Sequence, residues 1–127
     1  MPLVRIALIK GKPQSYKKAI GEAIHRAMVE TISVPAQDRF QLFMEHERAD
    51  LIYDQEYLGI KRGDGIVVIQ ITLNTGRTLA QKRALFARIA ELLQQEPGMR
   101  KEDVLINLVE VTKENWSFGN GEAQYAA

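Results

Sequence analysis

The sequence predicts an α/β (α+β) fold, with duplicated β-α-β units forming a four-stranded mixed sheet and two helices on one face. Three observations predict it. Aliphatic and β-branched runs at Leu3–Ile9, Arg39–His46, Ile66–Leu73 and Val104–Val111 have the length and composition of strands. One amphipathic stretch of helical period separates the first two runs, and another separates the last two. The halves also align at a constant spacing of 65 residues: Gly11 falls on Gly76, Lys12 on Arg77, Ile24 on Ile89, Asp38 on Asp103 and Glu45 on Glu110.

Taken in order, LVRIALI reads as the first strand, and Gly11 and Pro13 break it. Ile20, Ala23, Ile24, Ala27, Met28 and Thr31 recur at helical spacing, which predicts a helix over about 14–32, stopped by Pro35. RFQLFMEH alternates, with Phe40, Leu42 and Met44 on one face and Arg39, Gln41 and Glu45 on the other, as a half-buried strand does. IVVIQITL is almost continuously apolar and suggests burial on both faces. Thr78 and Gln81 have the spacing of a capping box, so a helix starts there. Leu85, Phe86, Ile89, Leu92 and Leu93 form its apolar stripe, and Pro97 and Gly98 end it. VLINLVEV is the fourth strand. The Lys17–Lys18 and Lys82–Arg83 pairs read as solvated helix faces.

Between the halves, residues 48–65 end in Arg62-Gly63-Asp64-Gly65, a turn composition. Residues 113–127 have no period and read as a tail pinned by Trp116 and Phe118. The expected organisation is a single domain over 1–127, with pseudo-repeats at about 2–47 and 66–112 and a C-terminal tail at 113–127. Right-handed crossovers put both helices on one sheet face. The other face is expected to carry Val and Ile and to be covered by self-association.

Composition narrows the function. The formal net charge is +1, without the basic excess of a nucleic-acid binder. The β-α-β-β-α-β order also occurs in ferredoxin-like RNA-binding domains, but strands 3–9 and 66–73 have no aromatic residue on which to stack a base. No nucleic-acid partner is expected. The chain has no cysteine, so disulfides, thiolate catalysis and cysteine metal sites are excluded. His25 and His46 are not spaced as ligands, so no metal is expected. No signal peptide is visible, and the apolar runs are far shorter than the roughly 20 residues that span a bilayer. A cytoplasmic protein with no membrane partner is expected.

Few groups could carry chemistry. If Met1 is removed, Pro2 gains a secondary amine, whose reference pKa near ~8 would be lowered by an apolar site and a nearby arginine. Such an amine is a base poised near neutral pH. Proline is equally acceptable as the first residue of a strand. Arg77 lies in Asn74-Thr75-Gly76-Arg77-Thr78, between a strand and a helix start, where a planar guanidinium and a helix N-terminus suit a carboxylate. The same turn composition fits a solvent-facing arginine beside a cap. Asp38 could orient a water or hold a proton. Like its mate Asp103, it also reads as a turn residue. Trp116 and Phe118 could wall an apolar pocket while pinning the tail.

Together MPLVRI, VPAQDRFQLFMEH, DLIYDQEYLGI, the Asn74–Thr78 turn and NWSFGNGEAQ resemble the tautomerase superfamily over nearly the whole chain. They are most similar to its malonate semialdehyde decarboxylase-like branch of N-terminal-proline enzymes. The resemblance implies a tautomerase/MIF-like fold, a homotrimer, removal of Met1 and a catalytic Pro2 amine working without a cofactor. It also implies that Asp38 assists and that Arg77 holds the carboxylate of a small 2-oxo or 3-oxo acid. Trp116 and Phe118 would line the apolar part of the pocket. The decarboxylase pattern has two arginines, one residue apart, at this turn. Here Thr75 occupies the earlier, substrate-facing position. One arginine binds a carboxylate without turning it out of conjugation for loss of carbon dioxide. The expected reaction is therefore keto–enol tautomerisation of a 2-oxo acid such as phenylpyruvate. The neighbouring alternative is malonate semialdehyde decarboxylation with hydratase activity. A remoter one is a non-catalytic signalling or binding protein on the same fold.

Overall fold

The structure, a computed structural model, describes residues 2–126. Its main elements are β1 (Leu3–Ile9), α1 (Gln14–Ile32), β2 (Gln41–His46), β3 (Val67–Asn74), α2 (Leu79–Gln95) and β4 (Val104–Val111). The sheet order is β2-β1-β3-β4. Each strand–helix–strand unit forms a parallel pair, and β1 joins the units antiparallel to β3. This is the expected four-stranded mixed sheet.

The core lies between that sheet and the two helices. Val4, Ile6 and Leu8 of β1 and Val67, Ile69, Ile71 and Leu73 of β3 face Ile20, Ile24 and Met28 of α1 and Leu85, Ile89 and Leu93 of α2. Burying each such side chain contributes about 1.5–3 kcal/mol. α1 lies close over β2 because position 21 is glycine: a Cβ there would stand 2.6 Å from Gln41 Oε1. Gln41 Nε2 instead donates to the Gly21 carbonyl at 2.9 Å. α2 begins with the expected capping box. Gln81 N–H donates to Thr78 Oγ1 at 3.2 Å, and Thr78 N–H donates to Gln81 Oε1 at 2.9 Å.

Several expectations are corrected. β3 alternates rather than burying both faces, with Val68, Gln70, Thr72 and Asn74 only half-buried. The helices occupy one side of the sheet, so the pleat exposes every second residue. On β2, Phe43 packs against the core, opposite Ile6, whereas the Phe40–Leu42–Met44 face lies on the open side. Phe40 and Leu42 are 49% and 46% exposed. The open face carries Val, as expected, but is not of Val and Ile alone. It carries Leu, Met, Ala and Val around a polar row of Arg5, Gln70 and Asn107, in which Gln70 Nε2 donates to Asn107 Oδ1 at 3.1 Å. Phe86 leaves the apolar stripe of α2 and is partly exposed. Lys17 and Lys82 do not sit on solvated faces. They pair with Glu45 at 2.6 Å and Glu110 at 2.9 Å, each tying a helix to the strand that follows it.

The connection 48–65 is held by its own polar groups. Asp64 accepts from Tyr53 Oη at 2.8 Å and pairs with Arg48 at 2.6 Å. Arg62 Nη1 donates to the carbonyls of Asp54, Tyr57 and Ile60. At the far end, Gly63 N–H donates to the buried Asp103 carboxylate at 2.8 Å. A Cβ on Gly65 would stand 3.1 Å from Asp103 Oδ2. Among the described residues, no helix is long and apolar enough to cross a membrane.

Candidate functional site

Strand register brings the sequence-predicted residues to one end of the sheet. Leu3 lies opposite Thr72, so Pro2 falls beside the end of β3. Val4 N–H donates to the Phe40 carbonyl at 3.0 Å, which runs the segment after Asp38 alongside the start of β1. β3 then leaves the sheet through the Asn74–Thr78 turn. Thr75 N–H donates to the Val111 carbonyl at 2.9 Å, so the tail from β4 starts from the same end.

Pro2 is buried. The expected removal of Met1 concerns a residue outside those described. Asp38 is 9% exposed and closes a tight turn in which its N–H donates to the Pro35 carbonyl at 3.0 Å. Burial pushes its carboxyl above the usual carboxylate range, and positive charge at His25 pulls the other way. His25, on α1, is within 2.8 Å of the Ala36 carbonyl through Nε2, which holds that turn against the helix.

Arg77 is half-buried. Its Nη1 donates to the Asn74 carbonyl at 3.2 Å and its Nη2 to the Ile32 carbonyl at 3.4 Å. Both partners are neutral, so among the described residues these bonds orient the guanidinium without cancelling its charge. Gly76 has φ +124, a backbone that favours glycine, and it lets the chain turn before the α2 cap. Thr75 is exposed at the outside of this turn.

Trp116 and Phe118 stack at 5.3 Å between centroids and 11° between planes. Phe118 also meets Phe40 at 6.4 Å and the edge of Tyr125 at 4.8 Å. The indole Nε1–H of Trp116 donates to Asn74 Oδ1 at 2.7 Å. The end of the sheet therefore has a buried proline, a buried carboxyl, an arginine held by two backbone carbonyls and an aromatic wall. Such an arrangement can bind an acid by its carboxylate, hold a flat apolar part and move a proton. Phe40, Tyr125, Asn74 and His25 are additions that sequence reasoning missed. Phe40 had one usable signal, its place two residues after Asp38. The other three are linked only by tertiary pairing.

A groove of about 580 Å³ lies between α1 and α2, lined by Lys18, Glu22, Arg26, Leu92 and Glu96. It mixes charges of both signs and contains none of these residues. Among the described residues, no group of three His, Asp or Glu side chains could hold a metal ion.

Comparison with known proteins gives the family of the chain. Residues 38–119 match a sequence family described as tautomerase enzyme, and residues 2–60 match a second family of the same description. Probable tautomerase YusQ of Bacillus subtilis (strain 168) is 42% identical over 124 residues, covering 98% of each chain. The crystal structure of FG41 malonate semialdehyde decarboxylase inhibited by 3-bromopropiolate has a TM-score of 0.91 and 38% identity, covering 97% of this chain and 93% of that one. A fused 4-OT wild-type symmetric trimer has a TM-score of 0.78 and 24% identity, covering 97% of each chain, and shares the fold.

Proposed function

We propose, since this chain belongs to the tautomerase family and to its malonate semialdehyde decarboxylase-like branch, that it catalyses keto–enol tautomerisation of a 2-oxo acid such as phenylpyruvate. The observation that carries the reading is the convergence of Pro2, Asp38, the Arg77 turn and the Trp116–Phe118 stack on one end of the sheet.

In this reading the Pro2 nitrogen, freed by removal of Met1, is the proton carrier. Going from enol to ketone, the enol oxygen loses a proton and C3 gains one. The amine takes up the first proton and delivers one to C3, and the burial of Pro2 and the nearby Arg77 both disfavour its charged form, as a base requires. Arg77 holds the carboxylate with its planar fork. Thr75 borders that carboxylate. Asp38, whose carboxyl burial pushes above the usual carboxylate range, assists beside the oxygen on which charge develops. Trp116 and Phe118 take the ring. Proton transfer and one cation suffice, so the scheme invokes no cofactor. The active form is a homotrimer.

Decarboxylation of malonate semialdehyde is the second reading, favoured by the 38% identity to a malonate semialdehyde decarboxylase. Both reactions pass through an enol or enolate, so modest changes of pocket shift one to the other.

One experiment addresses both readings. Protein whose intact mass lacks the Met1 residue is given phenylpyruvate enol and malonate semialdehyde in parallel, beside Pro2→Ala. The wild type is expected to ketonise the enol faster than it releases carbon dioxide. Pro2→Ala should lose at least about a hundredfold in kcat, the scale of a positioned proton carrier. A folded Pro2→Ala protein with most of its activity would sink the proline mechanism, and faster decarboxylation would select the second reading.

A further inference from the structure

Asn74 is the last residue of β3, where the sheet stops and the Arg77 turn starts. It makes two contacts, one through its side chain and one through its backbone. Its side-chain Oδ1 accepts the indole N–H of Trp116 at 2.7 Å, and its backbone carbonyl accepts Arg77 Nη1 at 3.2 Å. The strand end is itself fixed, because Asn74 pairs with Val111 and the next N–H donates to the Val111 carbonyl. One rigidly held residue thus touches both the cation and the first ring of the aromatic wall.

An indole has a single polar group, its N–H. Trp116 lies in the irregular tail, so neither sheet nor helix fixes its ring. The Asn74 bond does, and with the ring fixed the near-parallel stack on Phe118 has a defined direction. We infer that Asn74 is a positioning residue. It sets the plane of Trp116 relative to the Arg77 guanidinium, and so selects flat aryl 2-oxo acids over short-chain ones. This inference rests on the tautomerase reading of the same end of the sheet. Arg77 is held by the backbone of Asn74, so replacing the side chain removes only the bond to Trp116.

The test compares wild type, Asn74→Ala, Trp116→Phe and the double variant in C3 deuterium exchange, with phenylpyruvate and with 2-oxobutanoate, which has no ring. Asn74→Ala should raise KM for phenylpyruvate about tenfold, the effect of losing one partner of a well-formed hydrogen bond, with kcat little changed. KM for 2-oxobutanoate should stay the same. Trp116→Phe, which keeps a ring but has no donor, should raise KM for phenylpyruvate more than KM for 2-oxobutanoate. The double variant should be no worse than either single one, because both remove the same interaction. Trp116 is the one tryptophan in the chain, so emission reports it directly. In Asn74→Ala the emission should move to longer wavelength as the freed N–H meets water.

Additive losses, equal effects on both acids or unchanged emission would each overturn the inference. If Asn74→Ala fails to fold, the KM split in Trp116→Phe decides. A wild type that exchanges neither acid overturns the tautomerase reading and the selectivity with it, while the emission shift still tests the grip on Trp116.

Discussion

Asp38 is a buried acid whose surroundings favour its protonated form. With the folded pKa raised above the unfolded value near ~3.9, its contribution to stability is fully present below that value. The contribution is lost as pH rises through the folded pKa. Asp38→Asn should therefore melt above wild type at pH 7, and the difference should shrink as pH falls towards 4. Thermal melts across that range check this, and a difference independent of pH would refute it. Residues of this kind were only partly legible in the sequence. Pro2, Asp38 and Arg77 stood out because their side chains or backbone have unusual chemistry at turns and strand starts. His25 and Asn74 did not. Their importance comes from contacts 11 and 42 residues away, and nothing local marks a histidine or an asparagine for such contacts.

At the next scale, the turn into α2 is set by its cap. Thr78 follows Arg77 directly, and its reciprocal bonds with Gln81 fix where the helix begins. Losing the hydroxyl costs about 1 kcal/mol. Thr78→Ala should lower Tm by about 3–6 °C, and Thr78→Ser should retain most of the stability. Calorimetry checks both, and an unchanged Tm in Thr78→Ala would contradict the argument. The cap was readable because its chemistry is local, and α1 was readable over 14–32 because its period is sustained. The facing of β2 and β3 was harder to read. A strand in which Phe40, Leu42 and Met44 alternate with Gln41, Phe43 and Glu45 has a more apolar face and a less apolar one. The intuitive choice buries the first, yet here Gln41 bonds α1 and Glu45 pairs with Lys17, so the second face meets the helices. The deciding contacts come from another element, and alternation alone cannot supply them.

For the molecule as a whole, the open sheet face and the 48–65 connection leave much apolar surface in water. Ile52 is 92%, Leu58 78% and Tyr57 63% exposed, beside Phe40 and Leu42. This is the apolar surface that the proposed homotrimer would cover. Sedimentation equilibrium at micromolar concentration should give three times the 14.4 kDa chain mass, and Leu58→Glu should shift material towards monomer. A wild type that stays monomeric would refute the trimer.

The hydrogen bond from Gly63 to Asp103 has a consequence for counting. Asp103 and Lys12 are the counterparts of Asp38 and Arg77, so the opposite end of the sheet carries the same starting material. There the carboxylate is spent on the chain's own connection, and Lys12 rests over the Tyr16 ring at 5.0 Å. The counterpart of Pro2 is Val67, in the middle of the chain, where no amine can form. One end has become a fastening, so the proposed function predicts one ligand for each chain rather than one for each half.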